Sequence, residues 1–361
     1  MVGDFQGQAF LNRVASAVPP NDVHDAFVRF ASTLLADVRH EKLFRRMVDR
    51  ADIHHRYSVL TPAAADAAGP SVDAHGFFRR GAFPSTSARM RRFQAEALPL
   101  ALTAVGRLDL GPEVRSTTHL IVTSCTGLYA PGLDLELAAA LGIAPSVERT
   151  MVGFMGCYAA FNALKLARHI VRSSPDARVL IVNLELCTLH LQETSDLEQI
   201  LSFLVFADGC AAAWVTSEPN GLVLDRFRTV LLPDSADLIT WKVGDQGFDM
   251  HLSGKVPGAI SNGLRPVAAE ILDGAAISGI DLWAIHPGGR SVLDAVQSAL
   301  ELPSGALDTS RRVLADFGNM SSATIMFVLE RLMAEAASGQ AGAAMGFGPG
   351  LTAETLLFHV A

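Results

Sequence analysis

Two passages of the chain run in the same order at nearly the same spacing, and this repetition constrains the fold more than any other feature. In the first, the β-rich segment Thr118–Cys125 ends in a turn of small residues, CTGLYAPG. A helical pattern follows over Leu133–Leu141, then a short strand, Arg149–Phe154. Gly156-Cys157 opens a long helix, Tyr158–Ser173, and the apolar strand Arg178–Leu186 closes the passage. In the second, the strand Leu282–Gly289 ends in a glycine turn and Ser291–Leu300 is helical. Phe317–Ser322 opens another helix reaching about Ala337, and AGAAMGFGPG reads as a strand running into a tight glycine loop. Cys125 precedes Cys157 by 32 residues, and His286 precedes Asn319 by 33. A repeat this long is not a solenoid unit. It predicts an α/β chain made of two duplicated halves that face one another. Chemistry is then expected where strand ends meet helix starts, at the junction of the halves.

The 361 residues suffice for two domain-sized units, and the division is expected near residue 220, giving 1–220 with Cys157 and 221–361 with His286 and Asn319. Half the residues are hydrophobic and 18% are charged, enough to bury a large core. A net charge of -8 gives no sign of a nucleic-acid partner. No run of about 18 apolar residues predicts a membrane span. The start, MVGDFQGQAF, lacks the charged and apolar segments of a secretory leader. The four cysteines, Cys125, Cys157, Cys187 and Cys210, form no C-x-x-C pair and read as reduced thiols, with no zinc site. A cytoplasmic protein is expected. The N-terminal region reads as helical, with amphipathic runs at Asp25–Arg39 and Glu41–Arg50. Then come a Pro/Gly/Ser-containing stretch, Thr61–Ser87, and a helix, Ser87–Ala104.

Cys157 stands at the start of a helix, where unpaired N–H groups and the helix dipole lower a thiol's pKa and make it a better acyl acceptor. By position alone a buried structural cysteine is as good a reading. His286 ends a buried strand beside Pro287-Gly288-Gly289, where an imidazole can move a proton, pair with a thiolate or donate to an oxyanion. Taken alone it is equally a hydrogen-bonded structural histidine. Asn319, between Gly318 and Met320, is either a helix N-cap or an amide donor to an oxyanion. The repeat favours the chemical readings, because it puts Cys157 and Asn319 at equivalent helix starts. Thiol proteases also combine Cys, His and Asn, but they have no use for the duplication. Gly346-Phe347-Gly348-Pro349-Gly350 is a sharp turn and not a phosphate loop, since no Lys-Ser/Thr follows. Lys42, Arg45, Arg46 and Arg50 fall at helical spacing and make either a solvated face or a clamp for a phosphate-bearing carrier such as coenzyme A.

With these residues in view, the chain resembles the type III polyketide synthases of the chalcone synthase kind, from about Lys42 to Val360. The motifs are VGFMGCYAAFNALKLA at Cys157, LVFADGCAAA at Phe206, MHLSGKVPG at Met250, WAIHPGG at His286, FGNMSSATIMFVLE at Asn319 and the ending GFGPGLTAETLL. The MGCYAA form looks bacterial. The resemblance implies the thiolase-like fold, two α/β halves in an αβαβα arrangement, and a homodimer. It implies no cofactor beyond coenzyme A thioesters as substrates: an acyl-CoA starter and malonyl-CoA. Cys157 would carry the acyl chain, and His286 and Asn319 would stabilise the oxyanion during decarboxylation and condensation. Phe206 matches a gatekeeper aromatic and Ser321 a cavity serine. Arg46 and Arg50 match coenzyme A phosphate contacts, with Lys42 and Ser291 counted beside them and Leu43 at the third family position. Met250 replaces a second gatekeeper phenylalanine, and Trp241 replaces a cavity glycine, which disfavours a bulky aromatic starter. Cys125 and His190 stand where plant members have threonine. Cys125, Thr126 and Cys187 resemble bacterial members in which small residues open a fatty-acyl tunnel, though Leu191 is large for one. The rival readings are an initiating ketoacyl-acyl carrier protein synthase and a non-catalytic thiolase-fold scaffold.

Overall fold

The computed structural model describes residues 7–35, 37–64 and 71–361. The first six residues of the start read for a leader, Ala36 in the first amphipathic run, and 65–70 in the Thr61–Ser87 stretch lie outside the described residues.

In chain order the first part contains β1 (Phe10–Ala17), β2 (Asn21–Asp22), α1 (His24–Leu34), α2 (Val38–Ala51), β3 (Tyr57–Ser58) and α3 (Thr86–Arg107). It continues with β4 (His119–Ser124), α4 (Leu133–Leu141), β5 (Glu148–Gly153), α5 (Ala159–Ser173), β6 (Val179–Leu186), α6 (Leu197–Val205) and β7 (Asp208–Thr216). The remainder contains β8 (Leu222–Leu231), β9 (Ile239–Gly244), β10 (Gly247–Leu252), α7 (Val256–Ile271), β11 (Leu282–Ile285), α8 (Arg290–Ala299), α9 (Asp308–Phe317), α10 (Thr324–Glu335), β12 (Ala341–Gly348) and β13 (Thr352–Val360).

Two expectations for the N-terminal region are corrected. The first described element is a strand, because β1 finds its partner far away: it pairs antiparallel with β7 from Phe10↔Thr216 to Ala17↔Cys210. Pairing context outweighs the weak local preference of FLNRVASA. The run Asp25–Arg39 is two helices. The Asp37 side chain accepts from Arg39 N and His40 N, capping a new helix.

Nine strands form one sheet in the order β11-β12-β13-β8-β1-β7-β6-β4-β5. The repeat is visible in its pairing. β4–β6 is parallel, β6–β7 antiparallel and β7–β1 antiparallel. β11–β12 is parallel, β12–β13 antiparallel and β13–β8 antiparallel. The two sets join where β1 meets β8, at Phe10↔Val223 and Leu11↔Leu222. β5 has no counterpart and is an edge strand.

Helices α5 and α10 lie between the two half-sheets. α5 packs on β4 and β6 and also on β8 and β13, while α10 packs on β1, β7 and β11. Ala160, Ala163, Leu164, Ala167 and Val171 make the buried face of α5, and Ala211 and Ala213 of β7 are fully buried in the same core. Small residues on both sides let a helix layer fit between two sheets. Outside, α3 covers β1, β6 and β7, and α7 covers β8 and β13. Three apolar cores fill the spaces of this αβαβα, thiolase-like sandwich. Among the described residues no helix is long and apolar enough to cross a membrane.

Candidate active site

The turn that carries Cys157 is built by glycines. After β5 the chain takes left-handed φ at Phe154 (56°) and Gly156 (70°), makes a short turn over Gly156–Tyr158, and enters α5. A Cβ on Gly156 would lie 2.2 Å from Pro349 Cδ, and one on Gly348 would lie 2.6 Å from Tyr158 Cδ1. The GFGPG loop is thus a close-approach device that seats the end of β12 against the turn. Gly156 N also donates to Cys125 Sγ at 2.9 Å. Cys157 is half-buried. Burial pushes its thiol up to about 11, Ser321 and Asn319 pull it down by hydrogen bonding, and the charge of Glu185 raises it further. The expectation of a lowered pKa is therefore corrected: dry surroundings outweigh a helix start.

His286 continues the β11 pairing, its N–H donating to Met345 O at 2.8 Å. It is 1% exposed, and neither ring nitrogen has a partner among the described residues. Burial lowers its pKa to about 3, which favours the neutral ring.

Asn319 follows Gly318 (φ 71°). Its backbone is bridged to that of Phe206: Asn319 N donates to Val205 O at 2.7 Å, and Ala207 N donates to Asn319 O at 2.9 Å. Its two readings prove compatible. Oδ1 accepts from Ser321 N at 2.9 Å, as a cap does, while Nδ2 donates to Gly288 O at 3.3 Å and turns the amide hydrogens toward the His286–Gly289 loop. One N–H remains for a ligand. Ser321 itself has φ 47°, a strained value at the centre of the site.

Cys157, Cys125, Thr126, Cys187, Phe206, Trp241, Met250 and Ser321 line one cavity, with about 40 Å³ open to water-sized spheres, room for a few waters. Trp241 and Met250 are cross-strand partners in the β9–β10 hairpin. Trp241 Nε1 donates to Cys125 O at 2.8 Å, which pins the indole over the cavity. His190 lies behind this wall. Its ring stacks on Phe248 at 4.3 Å and meets Trp241 edge-on. Its Nε2 donates to Thr126 O at 2.7 Å, and its Nδ1 accepts from Phe248 N. A second cavity of similar size, lined by Phe27, Leu60, Val72 and Leu191, shares Cys187, Phe203 and Phe206 with the first. A groove of about 600 Å³ is lined by Arg50 of α2 and by Gly289, Arg290 and Ser291 at the start of α8. Lys42 and Arg46 are exposed on α2 outside its lining.

Sequence reasoning missed the polar network beneath the cavity. Glu185 is fully buried in β6. Its Oε2 accepts from Cys125 N at 2.9 Å and Thr126 Oγ1 at 2.8 Å, and its Oε1 accepts from Ser322 Oγ at 2.6 Å. Burial raises its pKa to about 7. The available signal was two polar residues, Asn183 and Glu185, inside an apolar strand. Phe203, Ile239 and Pro349 also line the cavity unforeseen. Among the described residues no three His, Cys, Asp or Glu side chains are grouped to hold a metal ion.

Two facing α/β repeats, with a thiol, a neutral unpaired imidazole and an oriented carboxamide at their junction, describe a condensing enzyme of the thiolase fold. Residues 5–219 match the family model for chalcone and stilbene synthases, N-terminal domain, and residues 224–361 match the C-terminal domain. Alpha-pyrone synthesis polyketide synthase-like Pks18 of Mycobacterium tuberculosis is 37% identical over 75% of this chain and 73% of its own length. Bisdemethoxycurcumin synthase of Oryza sativa subsp. japonica is 32% identical over 98% and 92%. PKS-I of the brown alga Ectocarpus siliculosus superposes with a TM-score of 0.87 at 29% identity, covering 99% of this chain and 100% of that one. The C-terminal type III polyketide synthase domain of Steely1 from Dictyostelium also gives 0.87, at 23% identity over 98% and 99%, a likeness of fold alone.

The chain belongs to the chalcone and stilbene synthase family. It is a type III polyketide synthase of bacterial-like type, an acyltransferase of decarboxylative condensation, and enzymes of this class use acyl-CoA and malonyl-CoA.

Proposed function

We propose that this enzyme loads an acyl-CoA starter on Cys157, extends it by repeated decarboxylative condensation with malonyl-CoA, and cyclises the product to a pyrone. The observation that carries the reading is the buried His286 ring, without a partner among the described residues, together with an Asn319 amide that donates to Gly288 O of the same loop and keeps one N–H free. Such preorganised donors in a dry site stabilise developing negative charge. In loading, Cys157 Sγ attacks the starter thioester and its proton passes by way of His286 to the departing coenzyme A thiolate. Malonyl-CoA then loses carbon dioxide, and the electron pair of the broken C–C bond flows into the thioester carbonyl. His286 and Asn319 hold the enolate oxygen, and the enolate carbon attacks the Cys157 thioester, releasing Sγ as thiolate.

Arg50 and Ser291 are the proposed coenzyme A contacts of the groove, with the N–H groups at the start of α8 as a phosphate seat; Lys42 and Arg46 act on the approach to it. Phe206 and Met250 gate the cavity, while Cys125, Thr126, Cys187, Trp241 and Ser321 shape it. The small volume under Trp241 favours a slender aliphatic starter, and oxygen attack to a pyrone asks least of that space. The similarity to an alpha-pyrone synthesis protein supports the same product class. Resorcinol or phloroglucinol rings are the alternative closures. No metal or organic cofactor takes part in this scheme. We read residues 1–220 and 221–361 as its two thiolase-like halves and the enzyme as a cytoplasmic homodimer. The edge strand β5, with Met151, Leu128 and Leu135 exposed, suits the dimer seat.

Intact-protein mass after incubation with an acyl-CoA tests the nucleophile: the adduct is expected on the parent and absent from Cys157→Ala. An adduct that persists on the variant moves the nucleophile elsewhere, with Cys125 next.

A further inference from the structure

Arg56 follows two exposed histidines and precedes a two-residue strand, yet its side chain is 2% exposed and runs inward to the C-terminal end of α6. Nη1 donates to Phe203 O at 3.0 Å and to Phe206 O at 2.9 Å. Nε donates to His24 Nδ1 at 3.0 Å, and the guanidinium lies 4.5 Å above the Phe27 ring. The stem packs against the other side of the same junction: a Cβ on Gly318 would sit 2.9 Å from Arg56 Cγ and 2.9 Å from Val205 O. Gly318 is the residue before Asn319, and the Asn319 and Phe206 backbones are hydrogen-bonded through their neighbours. One side chain therefore grips both strands of the bridge that carries the gate aromatic and the catalytic carboxamide.

The chemistry of the grip is unusual. Among the described residues the side-chain hydrogen-bond partners are two carbonyls and an imidazole, with no carboxylate among them, and Nη2 has no partner; the charges of Asp22 and Asp208 offset the cost only in part. Burying a guanidinium this way is unfavourable, and desolvation pulls its pKa down to about 9. An apolar side chain would fill the space more favourably, but it could not tie two carbonyls of a helix end to a fixed point.

We propose that Arg56 is a positioning residue for decarboxylation, holding the Phe206–Asn319 bridge in the register that presents the Asn319 amide to the enolate oxygen. The inference rests on the reading of Asn319 as an oxyanion donor. Acyl loading needs the Cys157 thiol, on a turn packed against β12, but needs no donor to an enolate; although Asn319 and Ser321 hydrogen-bond that thiol, loading is expected to feel a shift of the bridge less than decarboxylation does.

The test uses Arg56→Lys and Gly318→Ala in the full chain, with Asn319→Ala beside them. Malonyl-CoA decarboxylation is followed by release of carbon dioxide, and acyl loading by intact mass. A displacement of about 1 Å at a reacting group lowers rate by about 10²-fold, so both variants are expected to lose about 10- to 100-fold in decarboxylation with loading within about twofold. Added to Asn319→Ala, Arg56→Lys should cause no further loss, because its effect acts through that amide. Equal loss of loading and decarboxylation, an additive double variant, or failure of both single variants to fold would make Arg56 a fold element and overturn the proposal. Full decarboxylation by Arg56→Lys with Asn319→Ala dead overturns it alone. Full decarboxylation by Asn319→Ala overturns the reading beneath it.

Discussion

Replacing Glu185 by glutamine should change how stability depends on pH. The carboxyl is fully buried, accepts three hydrogen bonds, and is raised by burial from its ordinary 4.5 to about 7. A raised folded pKa means that the folded chain holds the proton more tightly than the unfolded one. The contribution is fully present below 4.5 and is lost as pH rises through 7, amounting to about 3 kcal/mol across that window. Glutamine keeps the shape and does not titrate. Its oxygen can accept from Cys125 N and Thr126 Oγ1, and its amide can face Ser322 Oγ, which has Thr123 Oγ1 at 3.1 Å to turn to. Urea unfolding of parent and Glu185→Gln at pH 5 and pH 8 should show the variant gaining about 2–3 kcal/mol relative to the parent at the higher pH. The Glu185 charge also raises the Cys157 thiol, so the variant should alkylate faster with iodoacetamide at pH 8. Parallel pH slopes with unchanged alkylation would refute the argument that an ionisable carboxyl beneath the cavity is held protonated.

Asn319→Ala should lose about 10²–10³ in malonyl-CoA decarboxylation, the usual worth of one oxyanion donor, while still acylating at Cys157. Trp241→Ala removes the donor to Cys125 O and the ring over the cavity. It should accept longer or bulkier acyl-CoA starters in a product screen and lose about 2 kcal/mol in denaturant unfolding. Gly156→Ala puts a methyl 2.2 Å from Pro349 Cδ at φ 70°. It should lower stability by at least about 2 kcal/mol and abolish the acyl adduct in intact-mass analysis.

The duplicated core was legible because its signals are local. β4, α5, β6, β11, α8 and α10 each carry their own apolar period and turn residues, and the repeat ordered them. β1 was not, since its strand state is decided by β7 some 200 residues away. The candidate site was legible where glycines mark it: Gly156 and Gly318 precede Cys157 and Asn319, and Gly288 follows His286 by two residues. Orientation was not. That Asn319 could be both cap and donor depends on which end of one amide meets Ser321 N. The sign of the Cys157 shift depends on desolvation by residues distant in sequence. Arg56 and Glu185 carry their meaning only through burial, which a single charged letter in a strand or loop barely hints at.

The most direct test of the central claim is product analysis by mass spectrometry, with the purified protein, malonyl-CoA and acyl-CoA starters from acetyl to long fatty acyl and aromatic. The account predicts pyrones carrying two or more malonyl-derived units, made from coenzyme A thioesters alone, with slender aliphatic starters preferred. A product of one extension that appears only with an acyl carrier protein, or no turnover with any starter, would contradict it.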